Sequence, residues 1–515
     1  MYFAPYMYQY PYYAAPMPVF RNQLFYQHYP QGTGDLNPYF SSQFTQGAAG
    51  FSGHGKQSYA INNEVASMRG KRSLSSYKEN YAYSLGIQAF IYGYPLVTME
   101  RTRQLQSFVK VPHGPVSTVS NELIYYDQLL TPDDKDVVSP NVDTLYCTAW
   151  LDLTRGPVVL NVPDTNDRYY VMQLMDAWTN TFSSIGRRTT GTGAGKFAIV
   201  GPDWKGTLPA NVQEVKSLTN TVWIIGRILV KGEDDYDNAL VLLRQFTLSS
   251  LDGNKLQFVK KPANPLLFEN KVEDLSALDF FKTMTDLMIL NPDISNEALE
   301  KQFEHIGIDL TYGFDGYKLD SETIAGLNRA AEDAFEIIAN SKDELNTRIF
   351  NGWEIIYGLG TYGDEFLKRA YVAYIELGAN VDEEAAYARA FTDDQGKQLN
   401  GQYEYIMHFN KDQLPPVEAF WSVTMYGPDF YLVPNEMNRY AIADYTPGLE
   451  YNDDGSLDIY IQKDRPINHE SNWLPAPEGE FNLVIRMYQP AAKVLNGTYE
   501  IPGVKRVRSL SRRFA

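Results

Sequence analysis

Hydrophobic periodicity switches twice along this chain, and that double switch limits the available folds more than any other feature. Between Asn121 and Leu229, short β-type runs alternate with turn formers: Asp143–Asp152, Pro157–Val162, Tyr169–Met175, Thr179–Gly186, Lys196–Val200 and Thr221–Val230. Alternation at period two makes one face of a strand apolar, and strands at such regular spacing predict a sandwich or jelly roll. From Asp234 to Leu377 the apolar residues recur instead at the helical period, in segments several of which open on an Asp or Ser cap. The β pattern returns near Ala385, where Tyr387–Thr392 and Gln402–Phe409 flank the turn Asp393-Asp-Gln-Gly396 and read as a hairpin. Upstream, Tyr81, Leu85, Ala89, Ile91, Tyr92 and Leu96 space a helix over Tyr77–Gln104, broken near Pro95. The expected fold is α+β and β-rich. It comprises a β-sandwich domain with an N-terminal helix at 76–232, a mainly helical connecting segment at 233–384, and a second β-sandwich at 385–503. Both sandwiches are expected to be antiparallel and jelly-roll-like.

At 515 residues the chain exceeds what one compact core accommodates. Residues 1–75 differ from the rest: Tyr is interleaved with Pro at 5, 11, 16 and 18, and a Gln, Ser, Gly and Asn-rich stretch with few aliphatics follows. Such a segment cannot offset the entropy of ordering, so it is expected to be a disordered tail whose tyrosines suit assembly contacts. It lacks the basic and apolar regions of a secretory signal. The formal charge of -18 argues against nucleic-acid binding by the body. A basic tail occupies 504–515. There is no apolar run of the ~18 residues that would span a bilayer. Cys147, the only cysteine, excludes an intramolecular disulfide and reads as a buried structural thiol within a strand.

Several chemistries lack their motifs. There is no Gly-x-Ser-x-Gly elbow, and Gly191-Thr-Gly-Ala-Gly195 is followed by Lys196-Phe197 rather than the Lys-Ser/Thr of a phosphate loop. The six histidines show no metal-ligand spacing, so neither a metal nor a cofactor is expected. What remains is a polar-aromatic cluster: Asn141, Asp143, Tyr146, Arg168, Tyr170, Asp176, Trp178 and Arg187. In a structural role, Arg168 would pair with Asp176 and Asn141 would satisfy backbone groups at a strand entry. In a ligand pocket, Trp178 and Tyr170 would stack on a ring while Asp143, Asn141 and Arg187 hydrogen-bond hydroxyls or an acid group. Asp143 and Asp176 would also serve a metal-independent hydrolase or lyase if they faced one bond. Arg439, Tyr440, Tyr460, Trp473 and Arg486 form a similar set further on, read as interface or core.

Two groups of motifs add a resemblance. Ser139-Pro-Asn-Val-Asp-Thr-Leu-Tyr146, Asp167-Arg-Tyr-Tyr170, Gln173, Asp176 and Gly201-Pro-Asp-Trp204 resemble the domain-of-unknown-function family 1254. Trp421–Tyr426, Asn438-Arg-Tyr440, Asp454-Gly-Ser-Leu457, Asn472-Trp-Leu-Pro-Ala-Pro477 and Arg486-Met-Tyr488 resemble family 1214. The resemblance spans roughly residues 80 to 503. It implies two jelly-roll-like domains around helical insertions and a homo-oligomer, and brings no established catalytic residue. The function expected from these features is that of an oligomeric structural or surface-associated protein, assembling through its tail into a larger coat or particle or standing in the cytoplasm. The alternatives are a carbohydrate or small-molecule binding protein and the Asp143/Asp176 hydrolase.

Overall fold

The computed structural model describes residues 76–109, 117–135, 139–256, 259–293 and 295–507; the expectations for residues 1–75 and for the basic end beyond 507 lie outside the described residues. The N-terminal domain is a sandwich of two sheets. Its five-stranded sheet has the order β3 (Ile124–Tyr126), β4 (Thr144–Asp152), β10 (Thr221–Leu229), β6 (Tyr170–Asp176), β7 (Thr181–Gly186). Its four-stranded sheet has the order β11 (Thr247–Ser249), β5 (Val158–Val162), β8 (Gly195–Val200), β9 (Gln213–Lys216). Leu145, Cys147, Ala149 and Leu151 point from β4 into the core shared with Val158, Leu160, Phe197 and Ile199. Tyr146, Thr148 and Trp150, between them, point the other way. Burial pushes the Cys147 thiol up to about 12, as fits an inert core residue.

The C-terminal domain repeats the plan. A six-stranded sheet runs β13 (Asn346–Phe350), β14 (Trp353–Tyr357), β15 (Ala385–Ala390), β21 (Asn482–Pro490), β17 (Val417–Tyr426), β18 (Ala441–Ala443). A four-stranded sheet runs β20 (Trp473–Pro475), β19 (Leu457–Gln462), β16 (Tyr405–Phe409), β22 (Val504–Arg506). Ile485 and Met487 of β21 meet Met407 and Ile459 in its core. A small sheet of β1 (Phe108–Val109), β2 (Ser117–Ser120) and β12 (Val259–Pro262) flanks the first domain.

The large sheets of the two domains face each other, with Tyr169, Val171 and Leu229 packed on Ala385, Phe420 and Tyr488. The layers therefore stack as four-, five-, six- and four-stranded sheets. Burial on both faces explains why β4, β6, β10, β17 and β21 read as nearly continuous apolar runs. Beside the stack lies a helical module. α1 (Tyr77–Ser107) packs against α2 (Ala277–Leu290), α3 (Ser321–Ala339) and α4 (Phe366–Ile375) around Phe90, Phe280, Phe281 and Leu327.

Three sequence expectations change. α1 continues through Pro95, because Tyr94, Leu96 and Val97 are buried on both sides of it and packing outweighs the lost backbone bond. β15 and β16 are not a hairpin: they belong to different sheets, and only the bridge Thr392–Gln398 closes the turn between them. The segment 233–384 is not mainly helical throughout, since it contributes β11 to the first sandwich and β13 and β14 to the second.

Candidate functional site between the two sheets

The polar motif residues come together as a peg inserted into the second domain. Ser139 N donates to the Phe430 carbonyl at 2.8 Å, and the Ser139 carbonyl accepts from an Arg486 Nη at 2.9 Å. The Pro140 carbonyl accepts from the Tyr426 hydroxyl at 2.7 Å. Val142 packs on Tyr426, Leu432 and Val484. Asp143 accepts from Ser422 Oγ at 2.6 Å and from the Tyr445 hydroxyl at 2.8 Å. Ser139 holds a φ of 51°, a left-handed conformation that costs a non-glycine residue about 1 kcal/mol or more and persists because both its backbone groups are engaged. Every residue from Ser139 to Asp143 thus contacts the other domain, Asn141 through the Tyr488 hydroxyl while it also bonds Thr144 and Tyr146 of its own domain.

Asn141 orders the layer. Its Oδ1 accepts from Asp143 N at 2.7 Å, which turns Nδ2 toward the Tyr488 hydroxyl at 2.8 Å and the Tyr146 hydroxyl at 3.2 Å. On the far side Asn380 does the same: Oδ1 accepts from Arg227 at 3.3 Å and Nδ2 donates to the Tyr387 hydroxyl at 3.0 Å. The Arg227 guanidinium lies 5.5 Å from the centre of the Tyr146 ring, its cross-strand partner, and the Tyr387 and Tyr488 rings are 6.5 Å apart. Arg227, Asn380, Tyr387, Tyr488, Asn141 and Tyr146 therefore form a closed circuit of contacts. Tyr146 and Tyr387 remain partly exposed within this layer, while Tyr488 is fully buried. Burial pushes the Tyr387 and Tyr488 hydroxyls up, so both keep their protons. Burial likewise raises Asp143, against the opposing pull of Arg486, Ser422 and Tyr445.

The other cluster residues lie elsewhere. Arg168 pairs with Asp235 and donates to the Leu229 carbonyl at 2.7 Å, so the expected ion pair with Asp176 does not form. Tyr170 faces the sandwich core, and its hydroxyl donates to the Gly191 carbonyl at 3.1 Å. Asp176 closes a turn by accepting from Trp178 N and Asn180 N, both at 2.9 Å, and burial raises it to about 6. Trp178 belongs to the helical core and donates from Nε1 to the Asn291 carbonyl at 3.0 Å. Arg187 sits at the domain rim, bonded to Gln489, the Glu418 carbonyl and Asp167. The expected stacking of Trp178 or Tyr170 beside Asp143 and Arg187 is therefore not formed. Asp143 is bonded to Val230 and Asp176 sits opposite Val222 on the same strand, which separates them by roughly 27 Å of strand. Two carboxylates that attack one bond stand about 5 to 9.5 Å apart, so this pair does not act together.

Sequence reasoning missed Arg227, Asn380, Tyr387, Ser422, Tyr445 and Tyr488 as members of this layer. One local signal existed: Arg227 is the lone charge in the apolar strand Thr221–Leu229. In the second set, Arg486 joins the interdomain layer, whereas Arg439 donates to the Glu470 and Trp473 carbonyls and Tyr460 stacks on His469. Among the described residues no group of three or more His, Cys, Asp or Glu is placed to hold a metal ion, and no helix is long and apolar enough to cross a membrane.

The protein is thus two largely antiparallel sandwiches, each with one parallel pair (β8–β9 and β19–β20), docked through a tyrosine- and arginine-rich layer. Family models match each domain: residues 120–250 match Protein of unknown function (DUF1254), and residues 384–492 match Protein of unknown function (DUF1214). The chain is a two-domain protein of these families. The crystal structure of the VPA0106 protein from Vibrio parahaemolyticus shares the fold, with a TM-score of 0.64 and 23% identity over 83% of this chain and 100% of that one. A putative uncharacterized protein from Burkholderia cenocepacia aligns with a TM-score of 0.38 and 10% identity, over 84% of this chain and 94% of that one. No curated protein matches the chain.

Proposed function

We propose that this protein binds a small polar molecule in the layer between its two domains. The observation that carries this reading is a count of protons. The orientations of Asn141 and Asn380 are set by their other partners, so the Tyr146, Tyr387 and Tyr488 oxygens must accept from them. Each hydroxyl then retains a proton, and no acceptor for it is found among the described residues. Tyr488 is fully buried, and a donor left without an acceptor there costs stability unless something accepts from it. A ligand bearing oxygens supplies that acceptor. Thermal unfolding of the full chain with glucose, benzoate or inorganic phosphate tests this: at least one should raise Tm saturably. The variant Tyr146→Phe/Tyr387→Phe should fold but lose the rise. Equal rises in both proteins would place the ligand elsewhere.

A second reading, assembly through the N-terminal segment, has its own support. Tyr77 and Tyr81 are exposed where the described chain begins, at 80% and 46%, and Lys78 pairs with Asp320 beside the exposed Tyr317. Aromatic side chains left open at this point suit contact with further tyrosine-rich chain.

A further inference from the structure

The geometry points to a small monocarboxylate as the occupant of the interdomain layer, a deepening that rests on the binding reading above. Inside the layer lie the guanidiniums of Arg227 and Arg486 and two carboxyl groups, Asp143 and Glu384. Asp143 and Arg486 offset one another: both are buried, and Ser422, which donates to Asp143, is the cross-strand partner of Arg486. Glu384 is already paired with Arg188 at 2.7 Å, and at the rim Arg187 is paired with Asp167 at 3.2 Å. Arg168 is paired with Asp235.

Arg227 is different. It donates to Gln173 Oε1 at 2.9 Å, Asn380 Oδ1 at 3.3 Å and the Gly378 carbonyl at 3.3 Å, and the Tyr146 hydroxyl is a further partner; all are neutral. An arginine does not deprotonate in a protein, and a buried charge without a counter-charge is costly. One positive charge is therefore left over at the place where three tyrosine protons lack acceptors. A neutral sugar would satisfy the hydroxyls and leave the charge. A phosphate dianion would bring one negative charge too many. A carboxylate brings one charge and two oxygens, matching the fork of a guanidinium and the hydroxyls beside it. The rings of Tyr146, Tyr387 and Tyr488 would wall the body of the acid, which favours a short aliphatic or single-ring acid.

Calorimetric titration of the full chain with acetate, benzoate, inorganic phosphate and glucose tests the inference. Acetate or benzoate should bind one per chain, the two should compete, and phosphate should bind at least about tenfold more weakly. Tyr387→Phe, which removes one donor, should weaken the acid about fivefold. Arg227→Gln should abolish binding, and Arg227→Lys, which keeps the charge without the fork, should retain part of it. If the Arg227→Gln chain does not fold, Tyr387→Phe and Arg227→Lys carry the test. Binding of glucose with no binding of either acid would overturn the carboxylate and leave the binding reading standing. Silence of all four probes would overturn both, and an acid that binds Tyr387→Phe as tightly as the parent would overturn its placement here.

Discussion

Asp143, Asp176 and Glu300 are buried carboxyl groups, and among the described residues none forms a salt bridge with a lysine or arginine. Burial accordingly raises all three. Glu300, which accepts from the Tyr92 hydroxyl at 2.8 Å, is pushed from 4.5 up to about 7, and Asp176 up to about 6. A carboxyl raised on folding binds its proton more tightly in the folded state. Its stabilising share is complete below the unfolded value near 4.5 and is lost as pH climbs through about 6 to 7. Asp235, which burial would raise but Arg168 holds low, acts in the opposite sense, in the acid range below its ordinary 3.8. Tm should therefore fall by a few degrees between about pH 5 and pH 8. Glu300→Gln, which keeps the hydrogen bond and removes the titration, should flatten part of that fall. A Glu300→Gln profile parallel to the parent's would show that Glu300 titrates as an ordinary surface group. At this scale the sequence marked Asn141 and Asp143 as conspicuous but not their partners. Ser422 and Tyr445 lie some 280 to 300 residues further on, and nothing local connects them.

At the level of elements, helix contacts were written more plainly than strand partners. The 3.6-residue period marks α1 and α3, and small residues let them touch: a Cβ on Gly326 would lie 2.4 Å from the Glu79 carbonyl oxygen and 2.8 Å from Ala82 Cβ. Two effects oppose each other in Gly326→Ala. Helix propensity favours alanine by about 1 kcal/mol, whereas the clash is with backbone and requires the helices to separate. The clash should win, with a net loss of about 1–3 kcal/mol in chemical unfolding. Asn328→Ala, at an exposed site on the same helix, should be neutral or slightly stabilising, and a stabilised Gly326→Ala would refute the close packing. Strand partners resist such reading. The turn after β15 looked like a hairpin because its residues favour turning, yet β15 pairs with β14 and β21. Turn chemistry sets where a chain reverses, and the choice of partner is made by which apolar face a strand can bury.

For the whole molecule, the tail and body make a testable division of labour under the assembly reading. Removing residues 1–75 should leave the Tm of the body within about a degree, since the described sheets and helices all lie from Tyr77 onward. The same removal should shift the particle size in light scattering to a smaller species if the tail joins copies together. Identical sizes for the full and shortened chains would reject assembly through the tail. What the sequence determined by itself was the alternation of β, α and β regions, the buried state of Cys147 and the two families of motifs. These depend on local periodicity and residue identity, which a single chain carries openly. Tertiary structure alone decided that the large sheets face each other, that Ser139 to Asp143 enter the second domain, and that Arg227 ends among tyrosines without an anion. Those outcomes depend on which buried surfaces meet across hundreds of residues, and the energy that selects them is absent until both surfaces exist.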